Sequence, residues 1–439
     1  MVLIYSDTIS SRLQYSCSLI FKEMMGIGFS ITDDKEIFRR HNGARVNYSK
    51  QIITDNEIQI INHDLLFEST IQKQTIDCFE VNGYKAFFRT AEFDSKPIGF
   101  LFDIFAASFY LATRYEEYLP HTKDMYGRYA HENSLAFKEQ FLSLPLINIW
   151  ADDLRKLLQK KYSIVNSQYS GFKFVPTYDI DIAYAYKHKG FFRNFAGAIR
   201  SLFSFDIDGL GERINTLLAN KKDPFDTYDK LDALHRQYEL HPIYFFLVAE
   251  KNAMYDKNIL PHKKAIQHLI QAHSKKYSIG IHPSWQSGDD VSLLKKEKEY
   301  LETIGKKTIT SSRQHYIRFT LPGGYRQLIN AGIQDDYSMG YGSINGFRAS
   351  VANSFYWYDL QKEMQTDLRI HPFCYMEANS YYEQKLTASE AFDELMQYYT
   401  ICKKVNGTFI TIWHNHMIGG NKLFKDWADM YKKFLQKIC

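Results

Sequence analysis

Two neighbouring aspartates, Asp179 and Asp181, are the first residues in the chain whose type and spacing could do chemistry. They end a run of apolar and β-branched residues that favours a strand, in which side chains two apart point to the same face. One carboxylate could then hold a divalent metal while the other takes a proton from water. The competing interpretation is structural: a strand end at which an aspartate opens a turn.

Three further polar clusters contain histidines. His282 follows a short apolar run and enters a Pro-Ser turn, and imidazole is a natural zinc ligand. Arg313 and His315 repeat the two-residue spacing, and an arginine can orient a carboxylate through paired hydrogen bonds. His414 and His416 end a β-branched, aromatic run, where a protonated imidazole would be a good acid for a leaving amine. Each cluster alone also fits a structural role, as a loop histidine or a surface ion pair.

Each cluster closes a predicted strand in the second part of the chain. There, apolar strands alternate with helical stretches, a pattern that predicts βα units and a parallel sheet or barrel. Active sites of parallel barrels are built at the carboxyl ends of the strands, so the clusters are expected to meet there. The predicted elements are the strands Phe174–Asp181, Pro242–Val248 and Ser278–His282 and the helices Asp226–Tyr238 and Lys263–Lys276.

The first part of the chain has a different pattern. Residues 1–165 predict a separate mixed α+β domain without recognisable chemistry, and a linker at Tyr162–Phe172 leads to the barrel domain at 170–439. After the first barrel strand, a long, partly basic insert at Lys187–Lys222 is expected to form a helical flap over the barrel mouth. The strands predicted in the first domain are Val2–Tyr5, Gly28–Thr32, Ile58–Ile61 and Tyr84–Phe88, and its helices are Phe102–Tyr118 and Pro145–Lys161.

Composition limits the class of protein. A length of 439 residues suggests about two or three domains, and an apolar fraction of 45% is enough for a sizeable core. The net charge of +4 gives no argument for nucleic acid or an anionic membrane as a partner. The five scattered cysteines, without a CxxC pair, indicate neither disulfides nor a cysteine zinc site. With no signal-peptide pattern and no apolar run of about 18 residues, we expect a soluble cytoplasmic protein.

From about Phe174 to Phe434, these motifs resemble in type and order those of the polysaccharide deacetylases of the NodB-homology group, carbohydrate esterase family four. The whole chain, including the N-terminal run FDIFAASFYLATRYEEYLP, is similar to two-domain deacetylase-like proteins of Bacteroidetes-type bacteria. The resemblance implies an α/β fold with a distorted (β/α) barrel. The segment TYDID, with one residue between the acids, stands where the family has Thr-Phe-Asp-Asp. Asp179 would then be the catalytic base, Asp181 a metal ligand and His414 the general acid.

Two positions depart from the family pattern. The family has a second metal-binding histidine four residues after the one that His282 matches, but this chain has Gln286 there. An amide oxygen is a poor zinc ligand beside imidazole, so the third ligand is expected to be His315, with His416 as the alternative. The arginine that orients the base is either Arg313 or Arg348, the latter in a Gly-Phe-Arg motif similar to that of some subfamilies.

The resemblance implies metal-assisted removal of an N-acetyl group from an amino sugar within a saccharide. Zinc is the expected metal, and nucleic acid is not an expected partner. The residues expected to contact the sugar are Tyr178, Trp285, Trp413 and His416. One alternative is a catalytically inactive saccharide-binding protein on the same barrel, favoured by Gln286. The other is a hydrolase of a non-sugar amide.

Overall fold

The computed structural model describes residues 1–55, 57–90, 99–162, 171–219 and 221–439. The predicted domain boundaries at 165 and 170, and most of the predicted linker, lie outside these residues.

The N-terminal part is built on a parallel sheet of four strands with helices against it and a separate two-stranded hairpin. The strands are β1 (Val2–Tyr5), β2 (Phe29–Thr32), β3 (Ala44–Asn47), β4 (Ile58–Gln59), β5 (Phe79–Val81) and β6 (Tyr84–Ala86). The α-helices are α1 (Ser11–Cys17), α2 (Lys35–Arg40), α3 (Ile104–Ala112), α4 (Leu135–Lys138) and α5 (Leu146–Tyr162). The strand order in the sheet is β2-β1-β3-β4. This sheet and the helices together form the mixed architecture that the sequence predicts.

Helix α3 is shorter at both ends than the predicted Phe102–Tyr118. It begins after Asp103, whose carboxylate accepts hydrogen bonds from the Phe105 and Ala106 amides, both at 2.9 Å, as an N-cap. It ends before Arg114, whose φ of 55° is left-handed and turns the chain into a 3-10 turn. At this turn the buried guanidinium of Arg114 forms ion pairs with Glu116 and Glu117.

The C-terminal part holds a sheet of nine strands surrounded by helices. The strands are β7 (Lys173–Ile180), β8 (Ile243–Phe246), β9 (Ser278–Ile281), β10 (Ser311–Ser312), β11 (Asp335–Asp336), β12 (Phe355–Asp359), β13 (Met364–Ile370), β14 (Tyr375–Met376) and β15 (Thr408–His414). The helices are α6 (Phe191–Phe203), α7 (Ile207–Leu218), α8 (Tyr228–Gln237), α9 (Lys264–Lys276), α10 (Val291–Gly305), α11 (Gly323–Asn330), α12 (Ala388–Lys404) and α13 (Lys425–Ile438).

The strand order is that of a (β/α) barrel opened along one seam. It runs β12-β13-β11-β10-β9-β8-β7-β15-β14, and every pair except β12–β13 is parallel. The first and last barrel strands, β7 and β15, pair along their length, as closure of such a barrel requires. Among the described residues, no strand pairing joins β13 to β14. This topology confirms the predicted α/β class with a distorted (β/α) barrel.

The two parts share one continuous hydrophobic core. The Tyr15 ring of α1 lies 5.0 Å from that of Tyr358 on β12, and Arg12 forms an ion pair with Glu363 beside the same strand. The N-terminal part therefore packs against the β12–β13 hairpin. In the described portion of the chain, no helix is long and apolar enough to cross a membrane.

Candidate active site

The four polar clusters meet around one cavity of about 520 Å³. Each cluster ends or directly follows a strand of the barrel, β7, β9, β10 or β15, as the sequence predicts. Parallel strands bring their carboxyl ends to the same edge of a sheet, so the side chains converge although they are far apart in sequence. The clustered residues that line the cavity are Asp179, Asp181, His282, His315, His414 and His416.

Asp181, His282 and His315 have the spacing of a metal-binding group. His282 Nε2 lies 3.1 Å from Asp181 Oδ1, and His315 Nε2 lies 3.5 Å from Asp181 Oδ2. One ligand atom from each of the three residues lies within 4.8 Å of the other two. Zinc bonds of about 2.1 Å in tetrahedral geometry would place ligand atoms about 3.4 Å apart, which these separations approach.

The hydrogen bonds of the two rings leave their Nε2 atoms free to bind a cation. His282 Nδ1 lies 2.6 Å from the Arg313 carbonyl, and His315 Nδ1 lies 3.0 Å from Asp256 Oδ1. Both partners are acceptors, so each Nδ1 carries a proton and each ring directs its Nε2 towards Asp181, where this nitrogen has a lone pair whenever the ring is neutral. Asp181 Oδ1 is buried and accepts no hydrogen bond from any described residue. A carboxylate facing two lone pairs fits a divalent metal.

The electrostatics of the group also favour a positive charge. Burial raises the pKa of Asp181, but the opposing charges on His315 and His414 hold it well below its usual range. Burial lowers the pKa of His315, but the charge on Asp181 and hydrogen bonds with Asp181 and Asp256 raise it to about 9. Without a metal, protons therefore supply the charge. Metal binding would displace them, as is usual for histidine sites.

Asp179 is held by Arg313 rather than by Arg348. Arg313 Nη1 donates to Asp179 Oδ1 at 2.9 Å and to the Thr177 hydroxyl at 2.6 Å. The guanidinium is fully buried over the Phe245 ring, with its carbon 4.5 Å from the ring centroid. These contacts fix the direction of the Asp179 carboxylate, so Arg313 is the one of the two arginines that contacts the candidate base.

His414 points towards the same group from β15. Its Nδ1 lies 2.8 Å from Glu377 Oε1, and its Nε2 lies 3.4 Å from Asp181 Oδ2. Burial lowers the pKa of His414, but the charges on Glu377 and Asp181 raise it to about 10. The ring is therefore protonated at neutral pH and can donate from Nε2 into the cavity.

His416 lines the cavity without joining the metal-binding group. Its ring packs 5.4 Å from that of His414 and 5.6 Å from that of Phe424. Burial and the charge of His414 lower the pKa of His416 to about 3, so this ring stays neutral. His315, not His416, lies within reach of Asp181 and His282.

Arg348 lies away from Asp179, contrary to the second of the two expectations for the orienting arginine. Its guanidinium is buried in a two-pronged ion pair with Glu117, through Nε at 2.8 Å and Nη2 at 2.6 Å. Its remaining nitrogen, Nη1, donates to the Gly340 carbonyl at 3.1 Å. Arg348 therefore joins the N-terminal part to the barrel and does not touch the candidate base.

Two of the aromatic residues expected to contact a sugar lie in the core instead. Tyr178 and Trp413 each sit next to a cavity residue on a strand, and alternation along the strand turns them to the opposite face. The Tyr178 hydroxyl bonds His235 Nε2 at 2.8 Å, and the Trp413 ring packs 4.4 Å from that of Tyr431. Both rings are fully buried. The expectation that they pack against a sugar is wrong.

Trp285 stands behind the cavity wall rather than in it. Its ring packs 4.2 Å from that of Tyr255 and under the Arg318 guanidinium. The aromatic residues that line the cavity are Tyr126, Tyr255, Tyr316 and Tyr382. Trp285 therefore supports Tyr255, and tyrosines line the cavity in its place.

Sequence reasoning missed the two carboxylates that orient the histidines, Asp256 and Glu377. Asp256 lies in the loop after β8, in a segment without any recognisable spacing. Glu377 directly follows β14, a strand of only two residues, which is too short to give the pattern of an apolar run closed by a polar residue. Its Oε1 accepts from the His414 amide at 2.6 Å as well as from the ring.

The N-terminal part also contributes to the cavity. Tyr126 and Arg128 line it, and Arg128 Nη1 donates to the Tyr316 carbonyl at 2.9 Å. The domain for which the sequence indicated no chemistry therefore forms part of the wall.

Gln286 has a clear role in the structure. Its Nε2 donates to Asp256 Oδ2 at 3.1 Å, while Asp256 Oδ1 holds His315 Nδ1. Gln286 thus supports Asp256, the residue that holds His315 in the metal-binding group.

Replacing Asp256 by asparagine is expected to weaken metal binding by about 10–100-fold, the usual effect of losing the carboxylate behind a metal-binding histidine. The amide can present its NH2 to His315 Nδ1 and so favour the wrong tautomer. Competition with a chromophoric chelator measures the affinity. Asp289→Asn, at an exposed aspartate paired with Arg318, is the matched control. If Asp256→Asn bound the metal as tightly as the wild type, His315 would not be one of its ligands.

Comparison with known proteins gives a family match for the N-terminal part only. Residues 2–163 match a family of unknown function, DUF7033. No curated protein matches the chain.

Solved structures give distant similarities. A polysaccharide deacetylase from Mycobacterium smegmatis, described as putative, is 10% identical with a TM-score of 0.40, and the match covers 62% of this chain and 86% of that one. A polysaccharide deacetylase from Bacillus cereus is 9% identical with a TM-score of 0.31, covering 61% and 86%. The allantoinase Puue is 10% identical with a TM-score of 0.38, covering 60% and 83%. At such distances, the reaction of this chain has to be inferred from its own residues.

Proposed function

We propose that this protein is a metal-dependent amide hydrolase that removes N-acetyl groups from an amino sugar. The observation that carries the proposal is the meeting, in one cavity, of a metal-binding group (Asp181, His282 and His315) with the Asp179–Arg313 pair and with His414. Amide hydrolysis needs a base for water, an acid for the leaving amine and a positive charge near the carbonyl oxygen. Asp179 would be the base and His414 the acid, and a metal held by Asp181, His282 and His315 would supply the positive charge.

When bound by these three residues, a divalent metal supplies Lewis acidity for the carbonyl and lowers the pKa of water. Asp179, oriented by Arg313, accepts the proton of the attacking water. His414, oriented by Glu377 through Nδ1, directs its Nε2 proton to the departing nitrogen. The base and the acid thus stand on the neighbouring strands β7 and β15, whose register pairs Asp179 with His414.

A saccharide suits the wall of the cavity. Tyrosine rings combine an apolar face for the sugar ring with a hydroxyl for its polar edge. Gln314, Asn379 and Glu383 add hydrogen-bonding groups among the tyrosines. The alternative of an inactive binder depends on Gln286, and the position of His315 beside Asp181 and His282 supports the hydrolase over that alternative.

Two measurements test this function together. Metal analysis of the purified protein should give about one zinc per chain, since the described residues contain one such group of three candidate ligands. Acetate release should be detected with N-acetylated oligosaccharides and should exceed that from simple aliphatic acetamides. Release from the aliphatic amides alone would replace the saccharide with a non-sugar substrate. A metal-free protein that releases no acetate with added zinc would contradict the proposal.

Asp179→Asn is expected to lower kcat by about 10²–10⁴, the contribution of a general base, while metal content stays unchanged. Initial rates of acetate release measure the effect. Asp335→Asn is the control, since this carboxylate pairs with His371 outside the cavity. A variant with an unchanged kcat would show that another group accepts the proton.

A further inference from the structure

The α6–α7 hairpin, which follows the first barrel strand, carries apolar side chains out into solvent. Phe192 is 85% exposed, Phe203 is 83% exposed and Phe205, between the helices, is 88% exposed. Soluble proteins rarely leave a contiguous apolar patch uncovered, and such patches mark sites of contact with a partner or a membrane.

The large apolar side chains that α6 exposes form one face, here called the hairpin face. At about 100° per residue, they fall within an arc of about 120° on the helix. The opposite side packs on α7: Asn194 Oδ1 accepts from Arg213 Nη1 at 3.1 Å, and a Cβ on Gly197 would meet that nitrogen at 2.6 Å. The helix therefore turns its polar side to the protein and its apolar side to solvent. The hairpin face consists of Phe191, Phe192, Phe195, Ile199, Leu202 and Phe203.

The charges of this segment have one sign. Between Lys187 and Phe205 the basic residues are Lys187, Lys189, Arg193 and Arg200, and the sequence contains no aspartate or glutamate. Acidic residues begin at Asp206, on the α7 side of the hairpin. A phenylalanine-rich face together with basic residues only is the composition of a helix that lies in the surface of an anionic membrane.

We propose that the α6–α7 hairpin is an interfacial anchor, which inserts the hairpin face into an anionic lipid surface. A helix of 13 residues is about 20 Å long and would lie in the plane of the surface. This inference goes beyond the proposed function and does not depend on it.

The anchor lies close to the active-site cavity. Residues 182–190 join Asp181 to the start of α6, and Arg193 Nη2 donates to the Lys257 carbonyl at 3.0 Å. Lys257 itself lines the cavity. A protein held by its hairpin face would therefore open its cavity beside the lipid surface.

Co-sedimentation with vesicles tests the anchor. The full chain should bind phosphatidylcholine vesicles that contain phosphatidylglycerol at least about tenfold more tightly than pure phosphatidylcholine, and added salt should weaken binding. The variant Phe192→Ser/Phe203→Ser should lose at least about tenfold in affinity. Its thermal unfolding should be unchanged, because both side chains are exposed. The control Ile52→Ser/Met364→Ser removes two apolar side chains that are 65% and 51% exposed elsewhere.

Two results would overturn the inference. One is that neither kind of vesicle binds the wild type. The other is a dimer of the wild type, detected by light scattering, that becomes a monomer in Phe192→Ser/Phe203→Ser. A second copy of the chain, and not lipid, would then cover the hairpin face. The hairpin variants should keep the wild-type rate on a soluble acetylated oligosaccharide. Failure of the anchor and failure of the proposed reaction are thus separate outcomes.

Discussion

The variant His282→Ala is expected to lose its metal and its hydrolytic activity together. His282 Nε2 faces Asp181 Oδ1 at 3.1 Å, so alanine removes one of three ligand atoms from the group. The loss of affinity should exceed the roughly 10–100-fold expected when only a residue behind a ligand changes. Metal content after dialysis and acetate release measure the two effects on the same sample.

The fold should survive this change. His282 also donates through Nδ1 to the Arg313 carbonyl, a single hydrogen bond worth about 1 kcal/mol. Circular dichroism should therefore show a folded protein. His268→Ala, at an exposed histidine on α9, is the matched control and should keep both metal and activity. A His282→Ala protein that retains metal would move the site to other residues.

Arg348→Ala is expected to destabilise the protein by about 3–5 kcal/mol, the cost of breaking a buried ion pair on one side. Glu117 is buried with Arg348 on one side and Arg114 on the other, at 2.6 Å and 2.7 Å. Removing one arginine leaves the carboxylate half-paired and also frees the Gly340 carbonyl. Denaturant unfolding measures the loss. Arg39→Ala, which breaks an exposed pair with Glu36, should unfold at the wild-type midpoint.

Acid provides an independent check on this pair. Burial raises the pKa of Glu117, but Arg348 and Arg114 lower it from 4.5 to about 2. A carboxyl with a lowered pKa in the folded state contributes stability above its unfolded value and loses it as the pH falls. The gap in unfolding free energy between the wild type and Arg348→Ala should therefore narrow as the pH falls from 4.5 towards 2. If the difference in unfolding free energy did not change with pH, the destabilisation would come from lost packing alone.

The positions of the polar clusters could be predicted because their signal is local. An apolar run that ends in an acid or a histidine identifies both a strand and its carboxyl end, as for His282 after β9. Strands of two residues, such as β10 and β14, are too short to give that pattern by themselves.

The errors come from long-range contacts and from alternation along strands. Arg313 and Arg348 are indistinguishable in sequence, and only the folded chain brings one to Asp179 and the other to Glu117. Tyr178 is expected from the sequence to contact the sugar beside Asp179. Adjacent residues on a strand face opposite ways, however, so the two side chains cannot share the cavity. Asp256 could not be found, because its role depends on a loop position that no local pattern predicts.

The Glu117–Arg348 pair has a consequence for how such chains evolve. It joins residues of two parts, and neither charge has another way to be neutralised completely in the core. A lineage that lost one charge would be under selection to lose the other, so positions 117 and 348 should vary together among relatives. A chimaera that joins the barrel of one relative to the N-terminal part of another would keep its stability only if both relatives carry the same residues at positions 117 and 348.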